Sequence, residues 1–526
     1  MPRVLISDKL SQDAAHILEA RGIDVTFAPE LGKDPEKLAS MIQDYDGLAI
    51  RSATKVTSDI IERAENLKVV GRAGIGVDNV DIPAATAAGV AVMNTPFGNS
   101  ITTAEHAIAM MFALARQLPQ ADQSTQAGKW EKSRFLGQEL YGKTLGLIGC
   151  GNIGAIVADR AQGLKMKVIA YDPFLTEERA MALGVEAMDL DSLLGRADII
   201  SLHTPLNDKT RNILSKTALA KTKQGVRIIN CARGGLIDEE ALLEALDNGH
   251  VAGAALDVFA QEPATENPLF GHENIICTPH LGAATAEAQE KVAVQIAEQI
   301  ADYLLLGAVS NALNMPSVTA EEAPRLKPFI HLAEQLGALA GQAAESGLTA
   351  IDVHYAGTVS DLNIAPLTAA LVAGVLRPGL SDVNLVNAKA IADKRGIVVT
   401  EAMTATSPNY DATIRVTLTS NKGEMTFVGA LFGGEPRIVR IGDIRLEANF
   451  TPHMIFVRNL DQPGLIGNLG HLLSGADINI ATFHLGRSEE KGEAIALVAT
   501  DQPIGDRLAE KIRGLPLVQE VLALKF

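Results

Sequence analysis

The chain has 526 residues, 47% of them hydrophobic and 21% charged, with a formal net charge of −17. That length exceeds what one hydrophobic core serves and implies about three or four domains. The acidic balance repels phosphate backbones and so disfavours nucleic acid; an anionic substrate would need a local basic patch.

The opening run Met1-Pro2-Arg3-Val4-Leu5-Ile6-Ser7-Asp8 is charged too soon for a signal peptide. No apolar run approaches the roughly 18 residues of a membrane span, and Leu367 to Leu376 reads as a buried helix. Cys150, Cys231 and Cys277 are too few and scattered for a disulfide framework or a metal set. They read as small buried residues in a reducing cytoplasm.

In chain order, Val4-Leu5-Ile6 reads as a strand, Ser11 to Arg21 as a helix closed by Gly22, and Gly47 to Ile50 and Lys68 to Val70 as further strands. This alternation predicts a parallel sheet between helices. The pattern restarts near Gly142 with strands at Thr144–Ile148, Lys167–Tyr171, Asp198–Leu202, Val226–Asn230, Ala252–Leu256 and Ile275–Cys277. Six strands with intervening helices predict a doubly wound dinucleotide-binding domain. Thr285 to Leu306 reads as one long helix returning the chain to the first domain, which would make that domain discontinuous. Beyond Pro316, alanine-rich helices and alternating runs at Ile351–Tyr355, Thr413–Thr419, Met425–Leu431 and Arg437–Leu446 predict an α+β domain. The order β-α-β-β-α-β from His453 to Phe526 is ferredoxin-like. The predicted divisions are residues 1–97 with 287–312, 98–286, 313–450 and 451–526.

Gly149-Cys150-Gly151-Asn152-Ile153-Gly154 follows a strand and opens a helix. Such a turn brings backbone N–H groups and a helix N-terminus against a pyrophosphate. Asp172 ends the next strand, where a carboxylate accepts from ribose hydroxyls and repels a 2′-phosphate, so NAD is expected over NADP. Arg233, Glu262 and His280 each follow a strand of the same sheet, where loops line the ligand crevice. Oxidation of a 2-hydroxy acid needs a proton acceptor (His280), a carboxylate to orient it (Glu262) and a cation to grip the substrate carboxylate and polarise the nascent carbonyl (Arg233). Each alone could be a solvated loop residue, a surface acid or a core histidine. Their joint placement behind an NAD fingerprint favours catalysis.

These stretches, Gly149 to Asp172, Asn230 to Asp238, Gly253 to Pro263 and Thr278 to Ala283, closely resemble the D-isomer-specific 2-hydroxy acid dehydrogenase family. The resemblance implies a Rossmann-like nucleotide domain inserted in a flavodoxin-like substrate domain, with Arg233, Glu262 and His280 as catalytic residues. It implies cofactor contacts at Gly149, Gly151, Asn152, Ile153, Gly154, Asp172, Thr204, Cys231, Ala232, Arg233, Asp257, His280, Gly282 and Ala283. Val70 to Asp81, Met93 to Pro96 and Gly98 to Ser100 resemble the branch that acts on 3-phospho-D-glycerate, in which Arg51, Ser52, Arg72, Gly74 and Asn99 would touch substrate. Ile75 stands where some relatives carry Thr and is left out. Lys132 and Arg134, on an arm beginning at Gly128-Lys129-Trp130-Glu131, are either extra charge for a second subunit's site or a solvated face. That branch adds an intervening domain of allosteric substrate-binding type and an ACT domain. Asn459, Asp461 and Asn479 match its effector contacts, implying L-serine as effector and a homotetramer. Two other readings stay open: a dehydrogenase of another D-2-hydroxy acid, and an NAD-sensing binding protein.

Overall fold

The computed structural model describes residues 1–319, 321–344, 347–380 and 382–526, which contain four β-sheets. The first sheet holds β1 (Arg3–Ile6), β2 (Asp24–Phe27), β3 (Gly47–Ile50), β4 (Val69–Arg72) and β5 (Ala91–Asn94), all parallel in the order β2-β1-β3-β4-β5. β2 and β5 are not among the expected strands. Each is a four-residue edge strand, too short to show a period.

The second sheet holds β6 (Thr144–Ile148), β7 (Lys167–Tyr171), β8 (Glu186–Ala187), β9 (Ile199–Leu202), β10 (Val226–Asn230), β11 (Val251–Leu256) and β12 (Ile275–Cys277), parallel in the order β12-β11-β10-β9-β6-β7-β8. Six match the expected strands; β8 is a two-residue addition at the edge. Its inner strands are buried on both faces, which is why they read as continuous Val/Ile/Leu runs. Cys277 is exposed, not buried as expected, because it sits where the edge strand β12 ends.

The helix Ala286–Leu306 begins at Thr285, whose hydroxyl caps the Ala288 N–H. It buries Val292, Ile296 and Ile300 against the first sheet. A Cβ on Gly71 in β4 would collide with Ile296 and Ile300, so glycine there admits the helix at close range. An Arg21–Asp302 ion pair of 2.6 Å pins it to the helix Gln12–Ala20.

The third sheet holds β13 (Leu348–Gly357), β14 (Val398–Thr404), β15 (Ala412–Ser420), β16 (Gly423–Phe432), β17 (Glu435–Ile441) and β18 (Ile444–Asn449), in the order β14-β13-β15-β16-β17-β18. The single run expected at Arg437–Leu446 is two strands: the chain turns at Gly442, whose φ of +56° is the left-handed region that glycine adopts without cost. β14 was also unexpected. One face is covered by helices Ala323–Ala343 and Ala365–Leu376, the second buried throughout from Pro366 onward, as expected. The fourth sheet holds β19 (His453–Leu460), β20 (Ile480–Arg487), β21 (Glu493–Thr500) and β22 (Val518–Lys525) in the order β20-β21-β19-β22, with helices Leu465–Ser474 and Asp506–Arg513. This is the ferredoxin-like order read from the sequence. No helix among the described residues is long and apolar enough to cross a membrane.

Candidate active site

The order of each parallel sheet reverses at one place, β1/β3 in the first and β6/β9 in the second, and ligands bind at the carboxyl ends beside such points. Gly149, Gly151 and Gly154 follow β6 and do two different things. A Cβ on Gly149 (φ +95°) would strike the His203 backbone, and one on Gly154 would strike Gly149 O, so both keep the turn tight. A Cβ on Gly151 would meet nothing within 4 Å: that side of the turn is open. Gly151 caps the helix Asn152–Gly163 with no side-chain hydrogen bond, leaving the first N–H groups, those of Asn152 and Ile153 included, for a ligand. Asp172 accepts from Cys150 N–H and Phe174 N–H, both at 2.8 Å, which fixes its carboxylate at the mouth of the same turn. These residues fit a dinucleotide. Thr204 follows β9 beside the Gly149 backbone. Next to it, burial pushes His203 down to about 4, so that ring is neutral at ordinary pH.

At the end of β10, Asn230 shapes the next loop by donating to Arg233 O at 2.9 Å and accepting from Ala232 N–H at 3.0 Å. Arg233 Nε donates to Asp78 at 2.9 Å and Nη1 to Ala232 O at 2.7 Å. Its guanidinium lies over Gly76, where a Cβ would collide with Nη2. Arg233 thereby crosses from the second sheet to a loop of the first. Cys231, beside it, is buried, and burial with the nearby Asp257 charge pushes its thiol up.

His280 Nδ1 meets Glu262 Oε2 at 2.7 Å. The other Glu262 oxygen accepts from Phe259 N–H at 3.0 Å. Burial alone would raise the Glu262 carboxyl. The hydrogen bond and charge of His280, with Arg233 beyond, outweigh it and hold the carboxyl below its usual range. His280 itself sits at φ +56°, uncommon for a residue with a side chain. Asp257 explains how that backbone is held. Its carboxylate is fully buried and accepts from Thr278 Oγ1 (2.6 Å), Leu281 N–H (2.7 Å) and Gly282 N–H (2.8 Å), so the loop carrying His280 wraps around it. Ala283 follows on the same loop, half-buried.

From the first sheet, Arg51 and Arg72 end β3 and β4. The Arg51 N–H donates to Asp8 at 2.5 Å and its carbonyl accepts from Asn79 at 2.6 Å. Arg72 folds over Gly74, where a Cβ would collide with its Nη1, and its Nε is buried without a partner among the described residues. Burial, with the like charges of Arg233 and Arg51, lowers Arg72 to about 10. A half-buried cluster of three guanidiniums in a chain of net charge −17 is the local basic patch that an anionic substrate requires. Asn99 is buried with an Oδ1 that has no partner among the described residues, while Ser52 is exposed. Arg134 pairs with Glu131 on the same exposed arm as Lys132.

Sequence reasoning missed Asp8, Asp78, Asn94 and His106. Asp8 lies two residues past the end of β1 and carried a readable signal as an acid at a strand end. His106 lies inside the helix Ser100–Arg116, 3.3 Å from Asp257, with no sequence cue.

The effector residues are not gathered within one chain. Asp461 accepts from Arg487 at 3.0 Å, and Asn459 is buried with an unpartnered Oδ1, both at the end of β19 that faces Glu493. Asn479 donates to Asp501 at 2.9 Å at the opposite end of the sheet, where β20 begins against Thr500. Antiparallel pairing places the two ends a full strand apart.

Residues 108–282 match the model of the D-isomer specific 2-hydroxyacid dehydrogenase NAD binding domain, residues 325–442 the D-3-phosphoglycerate dehydrogenase intervening domain, and residues 453–517 the ACT domain. The chain is 43% identical to D-3-phosphoglycerate dehydrogenase of Bacillus subtilis, over 99% of both chains. It is 42% identical to that of Methanocaldococcus jannaschii over the whole of both. Among solved structures, a glyoxylate reductase from Paecilomyes thermophila superposes with TM-score 0.56 at 31% identity, covering 59% of this chain and 98% of that one.

Proposed function

The chain belongs to the D-3-phosphoglycerate dehydrogenases of the D-isomer-specific 2-hydroxyacid dehydrogenase family, and on that premise we propose that it oxidises 3-phospho-D-glycerate to 3-phosphohydroxypyruvate with NAD, the first step of L-serine synthesis. The observation that carries this reading is the cluster of Arg51, Arg72 and Arg233: a substrate with one carboxylate would not require three cations, one of them buried with an unpartnered Nε.

Arg51 and Arg72, with Ser52, Gly74 and Asn99 around them, bind the phosphate end. Arg233 exchanges its bond to Asp78 for the substrate carboxylate and polarises the carbonyl forming at C2. Glu262 accepts the Nδ1 proton of His280, so the lone pair that remains is on Nε2, and that atom takes the hydroxyl proton. Asp257 holds the loop so that Nε2 keeps its place. The turn Gly149–Gly154 and the N–H groups opening the following helix would hold the pyrophosphate, and Asp172 the ribose, with Thr204, Cys231, Ala232, Gly282 and Ala283 lining the nicotinamide side. NAD, when bound, supplies the hydride acceptor.

The ACT domain supports an amino-acid effector, for which we propose L-serine. Asn459 and Asp461 lie a strand's length from Asn479, so a site using all three takes its third residue from a second copy. The exposed Trp130, Leu136 and Tyr141 on the arm support assembly, for which a homotetramer is the proposed state. NADH formation followed by absorbance with 3-phospho-D-glycerate and D-glycerate in parallel, with and without L-serine, tests the reading. A strong preference for the phosphorylated acid is expected, with suppression by serine. Equal rates on both acids would overturn the substrate; unchanged rates with serine would overturn the effector.

A further inference from the structure

Strand β5 is gripped at its entry by the third-sheet domain and along its edge by the connection that leads into that domain. At its entry, Gly89 O accepts from Asn384 Nδ2 at 2.9 Å and Ala87 O from Asn387 Nδ2 at 3.4 Å. The two asparagines brace each other: the Asn384 N–H donates to Asn387 Oδ1 at 2.8 Å, and the Asn387 N–H to Asn384 Oδ1 at 3.3 Å. A Cβ on Gly89 would collide with Asn384, so the surfaces interlock. Along its free edge, β5 pairs with the connection that leads into the third sheet. Leu313 N–H donates to Val92 O at 2.8 Å, Asn94 N–H to Asn311 O at 3.2 Å, and Asn314 both accepts from Val92 N–H and donates to Val90 O at 2.9 Å. With its carboxamide oriented to satisfy both ends, Gln299 donates to Asn94 O at 3.0 Å and accepts from Asn311 at 2.9 Å.

The other end of β5 enters the active site. Asn94 Nδ2 donates to Ile75 O at 2.7 Å, and Thr95 Oγ1 accepts from Gly74 N–H at 2.7 Å. The loop they hold, Gly74-Ile75-Gly76, carries the Arg72 guanidinium on its first glycine and that of Arg233 on its last. Asn94 is therefore buried between the connection and the substrate loop, bonded to both.

We propose that β5 is the strap through which the third-sheet domain sets the substrate loop, with Asn94 as a positioning residue that acts on Arg72 and Arg233 through Ile75. The proposal rests on the substrate reading above and assigns the intervening domain a task there. Close-packed interiors have few intermediate arrangements, so a shift of Asn384 and Asn387 against Ala87 and Gly89 passes along a four-residue strand to Asn94. Couplings of this kind change affinity roughly 5- to 150-fold.

The test uses the full-length enzyme and the double variant Asn384→Ala with Asn387→Ala, both far from the cofactor turn. KM for 3-phospho-D-glycerate is expected to rise at least about fivefold, with kcat and NADH affinity by fluorescence titration unchanged. Asn94→Leu, which keeps the branched shape and loses the donor, is expected to raise KM likewise. A purely structural role would lower the thermal midpoint and leave KM alone, and that result in both variants overturns the proposal. Hydrogen exchange at the Gly74 amide needs no substrate and is expected to quicken in the double variant. Unchanged exchange there also overturns the strap, even if Asn94→Leu fails to fold. Wild-type turnover of 3-phospho-D-glycerate tests the underlying reading on its own.

Discussion

The pair His280–Glu262 is partly open to solvent, with side chains 48% and 34% exposed. Exposed ion pairs contribute only about 0–1 kcal/mol to stability, so its worth lies in holding the ring and its tautomer. Glu262→Gln is expected to cut kcat about 100-fold, the low end of what general acid–base groups supply, with little change in KM. The wild type's small advantage in thermal midpoint over that variant follows from a depressed carboxyl. It is present above about pH 4.5, the ordinary value, and is lost as the pH falls below it through the folded-state value. Arg72→Gln is expected to raise KM about 10- to 100-fold, from the roughly 1.5–3 kcal/mol of a charged hydrogen bond. Because burial and like charges bring Arg72 to about 10, its cation is intact below that pH. Substrate affinity by calorimetry should therefore fall only as the pH rises through about 10. Residues such as Arg233, Glu262 and His280 were legible because each lies on the loop that follows a strand whose pattern is plain. Asp78 and Asn94 were not, because what they do depends on partners brought from other elements.

At the scale of elements, the glycine turn after β6 separates fold from function. Gly151→Ala adds a methyl into open space and is expected to leave the thermal midpoint unchanged while weakening NAD binding at least about tenfold. Gly154→Ala drives a Cβ into Gly149 O, and overpacking of that kind costs about 1–3 kcal/mol, so its midpoint should drop. Thermal melts and NAD titrations on the two variants read the contrast. The inner strands announced themselves because burial on both faces demands unbroken apolar runs. β2, β5 and β8 did not, being two to four residues long at sheet edges. The run Arg437–Leu446 hid its turn because alternation continues across Gly442, and a period of two is blind to chain reversal.

Over the whole molecule, three of the four units share more than a chain, while the nucleotide domain keeps cores of its own. One contiguous set of buried residues runs from Val4 and Ile300 through Val309 and Val318 to Leu336, Tyr355, Phe456 and Leu524. Gln342 pairs its side-chain amide with the backbone of Lys525 in both directions, at 2.9 and 2.8 Å, joining the helix Ala323–Ala343 to the last strand. The first sheet, complete in its strands by Asn94, receives the helix that covers one of its faces only at Ala286–Leu306. Synthesis on the ribosome therefore leaves Val4, Ala49 and Val69 uncovered while roughly 200 further residues are made, an interval of about 10–40 s at 5–20 residues per second. The nucleotide domain emerges whole within that interval, so the second sheet has both faces covered before the first, whose other face is already packed by residues 5–92, has its second. A chain ended at Gly282 should hold a folded second sheet and an aggregation-prone first one, which limited proteolysis of the truncated protein would show as a protected fragment beginning near Gly98, ahead of the helix Ser100–Arg116 that packs on the second sheet. Nascent copies carry a sticky face throughout that interval, and holdase chaperones that bind apolar strands have their window there.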